Sequence, residues 1–390
     1  MPLMSEPPVP DADATPVIPS TNPLARGAGS ARTPRPAADS ASNGGAGDDG
    51  GQISLGARLR QPRTIISLGI PLVLLVLIFR VALNVDFAEL ANSVASANKL
   101  LLIAAFLVFY AGFPIRGARW ALLLKGAGMR VGTKDATEIL FLSWTVNCLV
   151  PAKLGDVYRA YLLKLNAPVS FTRTFGTVFI ERILDLFTIA IMGLAAGFWS
   201  FRTGFPPEIQ FVAALGIGVI VVLAGFLFAV RNFGRAILGK LPLPERALEF
   251  YDRFEEGLFS INRRTIGPLV ILTVLIWATE GMRLWLVIQA LGLPGVSMGI
   301  SGAFFVAFIG SLLTAVPLSP AGLGIVDAGM GAVLYLAYGV PPTEAATIVI
   351  VDRVISVFSI IVVGSILYIV SDKRKGVGLS LPQEAPAAAA

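Results

Sequence analysis

The chain contains no histidine, a single cysteine and few charges. Each scarcity excludes something. Without histidine, the commonest metal ligand and the usual general base are both missing. A lone cysteine, Cys148, excludes an internal disulfide. Charged residues make up 14% of the 390 and hydrophobic residues 55%, whereas an ordinary soluble domain is about 25% charged. Mean hydropathy is +0.75. Charge this sparse does not cover a water-exposed surface. What the chain has instead is long apolar runs, recurring from residue 64 to residue 370. It reads as an all-α polytopic membrane protein. The net charge of +6 belongs, in such a chain, on cytoplasmic loops rather than against nucleic acid.

Residues 1–55 are rich in Pro, Ala, Ser, Gly and Asp and lack periodicity, so a disordered cytoplasmic tail is expected there, with another at 376–390. The first apolar run starts near Ile65, which argues against a cleaved N-terminal leader. A transmembrane domain is expected over 56–375. Full spans are expected at 64–84, 99–121, 174–199, 209–230, 267–290 and 344–370, each near the roughly 20 residues a crossing helix needs. Two more apolar regions, 136–164 and 299–339, are broken by Pro and Gly.

The excess of Lys and Arg on cytoplasmic loops orients the set. Arg58, Arg60 and Arg63 place the N-terminus inside; loop 85–98, with Asp86 and Glu89, faces out. Arg116, Arg119, Lys125, Arg130 and Lys134 face in, and so do Lys164 and Arg173. Region 136–164 therefore enters and returns on one side, a re-entrant hairpin turning near PAKLG, 151–155. Arg231, Arg235 and Lys240 are again inside, and the uncharged stretch 291–299 outside. Region 299–339 becomes a second hairpin, entered from outside, and the last span delivers Lys373, Arg374 and Lys375 to the cytoplasm. Two full crossings in place of the hairpins also leave the C-terminus inside, but put Lys164–Arg173 outside. Before the fifth full span, PERALEFYDRFEEGLFSINRR aligns Leu248, Tyr251, Phe254 and Leu258 on one face. That is an amphipathic helix, lying on the inner surface or packed on the spans.

The sequence also repeats itself. IERILDLFTIAIMG (180–193) lies over VDRVISVFSIIVVG (351–364), matching Glu181 with Asp352 and Arg182 with Arg353. Upstream, PAKLG matches PAGLG at 320–324, and GAR at 117–119 matches GMR at 281–283. The ordered set indicates a duplication: repeat one 99–199, repeat two 267–370, joined by a span and the amphipathic helix over 209–264. With the orientation above, the copies have opposite topology. Inverted repeats with discontinuous helices are a transporter architecture. Pro151, Gly155, Pro320, Gly322 and Gly324 are the expected hairpin-tip residues, because Pro breaks a helix and Gly lets the chain turn back. Such backbone is tolerated at membrane depth only inside protein or beside a watery cavity.

Three charges interrupt the span at TVFIERILDLF, 177–187: Glu181, Arg182 and Asp185. Arg182 lies about 12 Å in from the inner side, and Arg353 at a similar depth from the outer side. Each costs about 3 kcal/mol even on the lenient insertion scale. Asp185, at i+3, can pair with Arg182. Arg353 has Ser356 and Val357 in those places, so it needs an acid on another element, with Glu181 the candidate, or a ligand phosphate. The two readings are ion pairs that lock the bundle and a phosphate-binding cavity, which the planar arginine fork suits. Asn147, Lys153, Asp156 and Arg159 gather at the first tip, where interfacial anchoring is the alternative. Glu280 and Arg283, at i and i+3, read as structural. GRAILGKL (234–241) nearly matches a phosphate-binding P-loop, but ends in Leu and follows a span rather than a strand.

Taken together, RGARW (116–120), Asn147 with PAKLGDVYR (151–159), ERILD (181–185), PLSPAGLGIVD (317–327) and DRVIS (352–356) resemble the lysylphosphatidylglycerol synthase transmembrane, or flippase-like, family over roughly 64–372. The resemblance implies movement of lipids or lipid-linked headgroups between leaflets of the plasma membrane. Members that attach Lys to phosphatidylglycerol carry a soluble aminoacyltransferase domain; here only a tail follows Lys375, so lysyl transfer is not expected. The candidate substrate-binding residues are Arg182, Arg353, Glu181, Asp352, Asn147, Lys153, Asp156, Arg159 and Arg119. No catalytic residue, metal or cofactor is expected. The expected partners are membrane lipids with an anionic or phosphate-bearing headgroup, not nucleic acid; a homo-oligomer stays open. The alternative function is an embedded enzyme or accessory subunit acting on lipid phosphates in envelope biogenesis.

Overall fold

The computed structural model describes residues 87–202, 204, 207–238, 244–314 and 319–379. The span expected at 64–84, the tail 1–55 and most of the tail 376–390 lie outside them. The described residues belong to one compact unit, Ile53–Ala390, and among them every regular element is helical. A short helix, α1 (Phe87–Ser96), stands where a loop was expected. α2 (Lys99–Gly126) starts at Asn98, whose side-chain oxygen accepts from the N–H groups of Leu100 and Leu101, and it runs on through Pro114. The first broken region forms α3 (Thr133–Leu149) and α4 (Leu154–Asn166). Then come α5 (Phe171–Ser200), α6 (Pro207–Leu238), α7 (Glu245–Leu258) and α8 (Ile266–Leu291). The second broken region forms α9 (Ile300–Leu313) and α10 (Ile325–Tyr338). α11 (Pro342–Arg353) passes through a π turn, Val354–Phe358, into α12 (Ser359–Val370).

Among the described residues, five helical stretches are long and apolar enough to cross a membrane: Lys99–Gly126, Ala214–Gly234, Ile266–Leu291, Pro320–Tyr338 and Pro342–Val370. α5 has 30 residues, but its Glu181 and Asp185 are buried in the protein. The paired helices α3, α4, α9 and α10 have only 13 to 17 residues each. At 1.5 Å per residue each reaches about 20–25 Å, short of a hydrocarbon core about 30 Å thick, and α10 attains crossing length only together with the turn Pro320–Gly324 before it. Leu100, Leu107, Phe211, Val222 and Ile369 are exposed, while Arg116, Arg119, Arg159 and Glu181 are buried. Apolar outside and charged inside is the arrangement lipid requires.

The two tips turn alike. Ala152 and Lys153 adopt left-handed backbone, φ 62° and 51°, and so do Ala321 and Gly322, φ 52° and 73°. These are matched positions of PAKLG and PAGLG. Three of the four are not glycine and carry strain of about 1–2 kcal/mol each. Gly155 serves a different end. A Cβ there would stand 2.0 Å from the Ser143 carbonyl oxygen, so α3 and α4 meet backbone to backbone. Gly155→Ala is expected to cost about 2 kcal/mol or more, read as a lower unfolding temperature in detergent. Gly218→Ala in α6, where a Cβ meets nothing within 4 Å, should cost nothing.

Of the two placements considered for the amphipathic helix, the structure has α7 packed on α5. A Cβ on Gly176 would lie 2.4 Å from the Phe254 carbonyl oxygen, and the Phe179 and Phe254 rings are 5.5 Å apart.

Candidate functional site

α2 packs along α8, and α5 closes against both. Their charged residues turn inward and pair across helices. Arg119 on α2 donates to both Asp185 oxygens, at 2.5 and 3.1 Å, and lies 3.1 Å from Glu181. Arg159 on α4 donates to the same Glu181 carboxylate at 3.2 Å and stacks over Trp120. Arg182 on α5 grips Asp156 with two hydrogen bonds, 2.8 and 2.6 Å. Asn147 donates to Asp156 and accepts from the Gly155 N–H. The tip of the first hairpin is thereby tied to α5.

The second half repeats this wiring. Arg283 on α8 donates to both Asp352 oxygens, at 2.8 and 3.2 Å. Arg353 donates through Nε to Asp327 at 2.5 Å, and the other Asp327 oxygen accepts from the Gly324 N–H at 2.7 Å. Positions 156 and 327, 181 and 352, and 182 and 353 each lie 171 apart. Asp156–Arg182 thus recurs as Asp327–Arg353, and Arg119–Glu181 as Arg283–Asp352. At the centre Arg116 pairs with Glu280 at 2.5 Å. Glu280 also bonds Arg283. Arg116 and Glu280 hold the same place in the matched segments RGAR and EGMR.

These groups surround a cavity of about 390 Å³. Asn147, Lys153, Asp156, Arg182, Asp352 and Arg353 all line it. Of the expected tip residues, Gly322 lines it as well, beside Ser319 and Ala321. Glu181, Arg159 and Arg119 stand behind the lining, almost wholly buried. They brace the wall rather than face the space. Trp144, Trp277, Phe109, Phe179 and Met330 supply the apolar surface.

One expected pairing is present and one is corrected. Arg182 forms the expected i,i+3 ion pair with Asp185 at 3.7 Å, but its closer partner is Asp156, and Asp185 is also held by Arg119. Arg353 binds Asp327 rather than Glu181, because the hairpin brings Asp327 to α11 while Glu181 is occupied by Arg119 and Arg159. Glu280 and Arg283 do form the expected i,i+3 pair, but both also face the cavity. Asp327 and Arg116 were missed as site residues. Carrying the 171-residue match from Asp156 would have found Asp327.

The sequence model of the lysylphosphatidylglycerol synthase TM region matches residues 65–364. The chain belongs to this family. Among its relatives, the UPF0104 membrane protein MJ1078 of Methanocaldococcus jannaschii is 36% identical over 231 residues, 59% of this chain and 95% of the relative. A UPF0104 membrane protein of Methanothermobacter thermautotrophicus is 25% identical over 299 residues, 72% of this chain and 86% of the relative. Glycosyltransferase AglD of Haloferax volcanii is 27% identical over 345 residues, 78% of this chain. The aligned part is 54% of AglD, so this family member spans about half of that protein.

Proposed function

We propose that the protein moves a lipid with a phosphate-bearing headgroup between leaflets of the plasma membrane, with both termini cytoplasmic and the two hairpins entering from opposite sides. The observation that carries the reading is Arg353. Its guanidinium lines the cavity and is bound to Asp327 through Nε, while Nη2 is buried without a hydrogen-bond partner among the described residues. A guanidinium keeps its proton, and a planar fork with a spare N–H matches a phosphate oxygen. Arg182 offers the equivalent fork from the other repeat, with a quarter of its side chain still accessible. α3, α4 and α9, too short to cross singly, fit tips that meet inside the membrane. Phosphate displaces a carboxylate, one tip loosens, and the cavity opens on that side.

The test is leaflet-resolved movement of phosphate lipids in vesicles holding the purified protein, normalised to folded protein. Arg353→Gln is expected to abolish movement. Arg353→Lys keeps the charge but loses the fork, and should reduce movement about tenfold or more. Wild-type rates in Arg353→Gln would leave the ion pairs with a structural role only.

A second reading draws on the relative named a glycosyltransferase: the domain serves an enzyme or subunit acting on lipid-linked phosphates. Altered lipid mass after incubation, without net movement, would favour it.

A further inference from the structure

Each hairpin is fastened at its base to the last span of the other repeat. At the first hairpin the fastening comes from the residues just past α12. Ser371 donates to Glu138 of α3 at 2.6 Å, and the Lys373 ammonium lies 2.8 Å from Asp135. Asn166, the last residue of α4, donates to the Lys373 carbonyl oxygen at 2.7 Å and accepts from the Gly378 N–H at 3.2 Å. Lys373 and Asp135 are both buried. At the second hairpin Tyr338, the last residue of α10, shares a 2.9 Å hydrogen bond with Ser200, the last residue of α5. Its ring lies 5.2 Å from that of Phe201. The two clasps sit at opposite ends of α5, whose 30 residues span about 45 Å.

The clasps are matched positions filled differently. Ser200 and Ser371 lie 171 apart, and so do Arg202 and Lys373. Asp135 and Gly302 are each the third residue of their helix. Lys373 turns inward onto Asp135, whereas Arg202 turns outward, exposed, over Trp199 at 4.5 Å. Gly302 offers no acid to receive it, and a Cβ there would already stand 2.9 Å from the Tyr338 ring. Four polar bonds thus cross the Lys373 clasp, against one side-chain hydrogen bond among the described residues at the Tyr338 clasp. Each added bond shifts an opening equilibrium by roughly a factor of two to ten, and the ring packing that supplements the single bond is non-directional.

Resting on the two-sided opening described above, we infer that these clasps are the two gates of the cavity, and that the Ser200–Tyr338 gate opens more readily than the gate locked by Lys373 and Asp135. Cys148, the only cysteine of the chain, is buried and lines the cavity, so it is a built-in reporter. The experiment adds a charged, membrane-impermeant methanethiosulfonate to one side or the other of sealed vesicles holding the full chain in one orientation. Modification of Cys148 is followed by mass. The wild type should react at least about tenfold faster from the Tyr338 side. Asp135→Asn with Lys373→Met removes both partners, so no buried charge is stranded. It should raise the rate from the Lys373 side about tenfold and leave the other side unchanged. Tyr338→Phe should raise the rate from its own side about threefold and no other; this arm and the wild-type ratio stand whether or not the double variant folds. Clasps that only hold the fold together would raise labelling from both sides alike, which would overturn the inference. Equal wild-type rates, faster reaction from the Lys373 side, or no reaction from either side would overturn it too. Labelling needs no lipid movement: biased labelling without movement would sink the transport reading alone, and movement without bias would sink the gates alone.

Discussion

Glu181→Gln is expected to yield little folded protein. Glu181 is fully buried and is the acid shared by Arg119 and Arg159. Arg119 keeps Asp185 when Glu181 is neutralised. Arg159 loses its partner and stays buried over Trp120. An uncompensated buried charge costs about 3–5 kcal/mol, a large share of what a typical domain has in total. The measurement is the yield of monodisperse protein in detergent, together with its unfolding temperature. Arg159→Gln in the same chain should recover much of the loss, because it removes the stranded charge. Glu256→Gln, which breaks the accessible Arg173–Glu256 pair on α5 and α7, should change nothing measurable. If Glu181→Gln melted with the wild type, the inner row of ion pairs would not be what holds the bundle.

The second large effect is functional and runs against intuition. Asp327→Asn should bind phosphate lipid more tightly than the wild type and move it at least about tenfold more slowly. An asparagine oxygen still accepts from the Gly324 N–H, so the tip keeps its shape. Arg353, however, loses the carboxylate that competes with phosphate for its fork. A transporter must let go as well as take hold, and the competing acid supplies the release. Asp156→Asn should be milder, since Arg182 keeps Asp185 at 3.7 Å as a substitute. Binding isotherms in detergent and leaflet-resolved rates in vesicles separate the two quantities. Wild-type movement in Asp327→Asn would remove Asp327 from the release step.

The spans were legible because twenty-residue apolar runs have no other use. Five of the six expected full spans fall on described helices within a few residues, apart from the C-terminal end of α6, and both broken regions resolve into helix pairs hinged at PAKLG and PAGLG. The partner of Arg353 was not legible by the rule applied to it. Helical spacing sees only i+3 and i+4, and Asp327 is 26 positions upstream across a hairpin. The two extra residues in PAGLGIVD relative to PAKLGD hid the correspondence with Asp156. Arg119, Arg159 and Glu181 were named from motifs, but a motif does not tell lining from bracing; that depends on which face of α2, α4 and α5 meets the cavity. The π turn after Arg353 has no counterpart in the continuous α5, and nothing in DRVIS announces it.

The central pair carries history. Arg116 and Glu280 occupy one and the same position of the two repeats, and they touch each other. In a dimer of identical half-length chains that position would face its own copy, arginine against arginine or glutamate against glutamate, and the contact would be repulsive. Opposite charges there require two copies free to mutate separately. The bond between Arg116 and Glu280 is thus one that only divergence of the two copies permits. Splitting the chain and pairing two copies of either half would restore the clash.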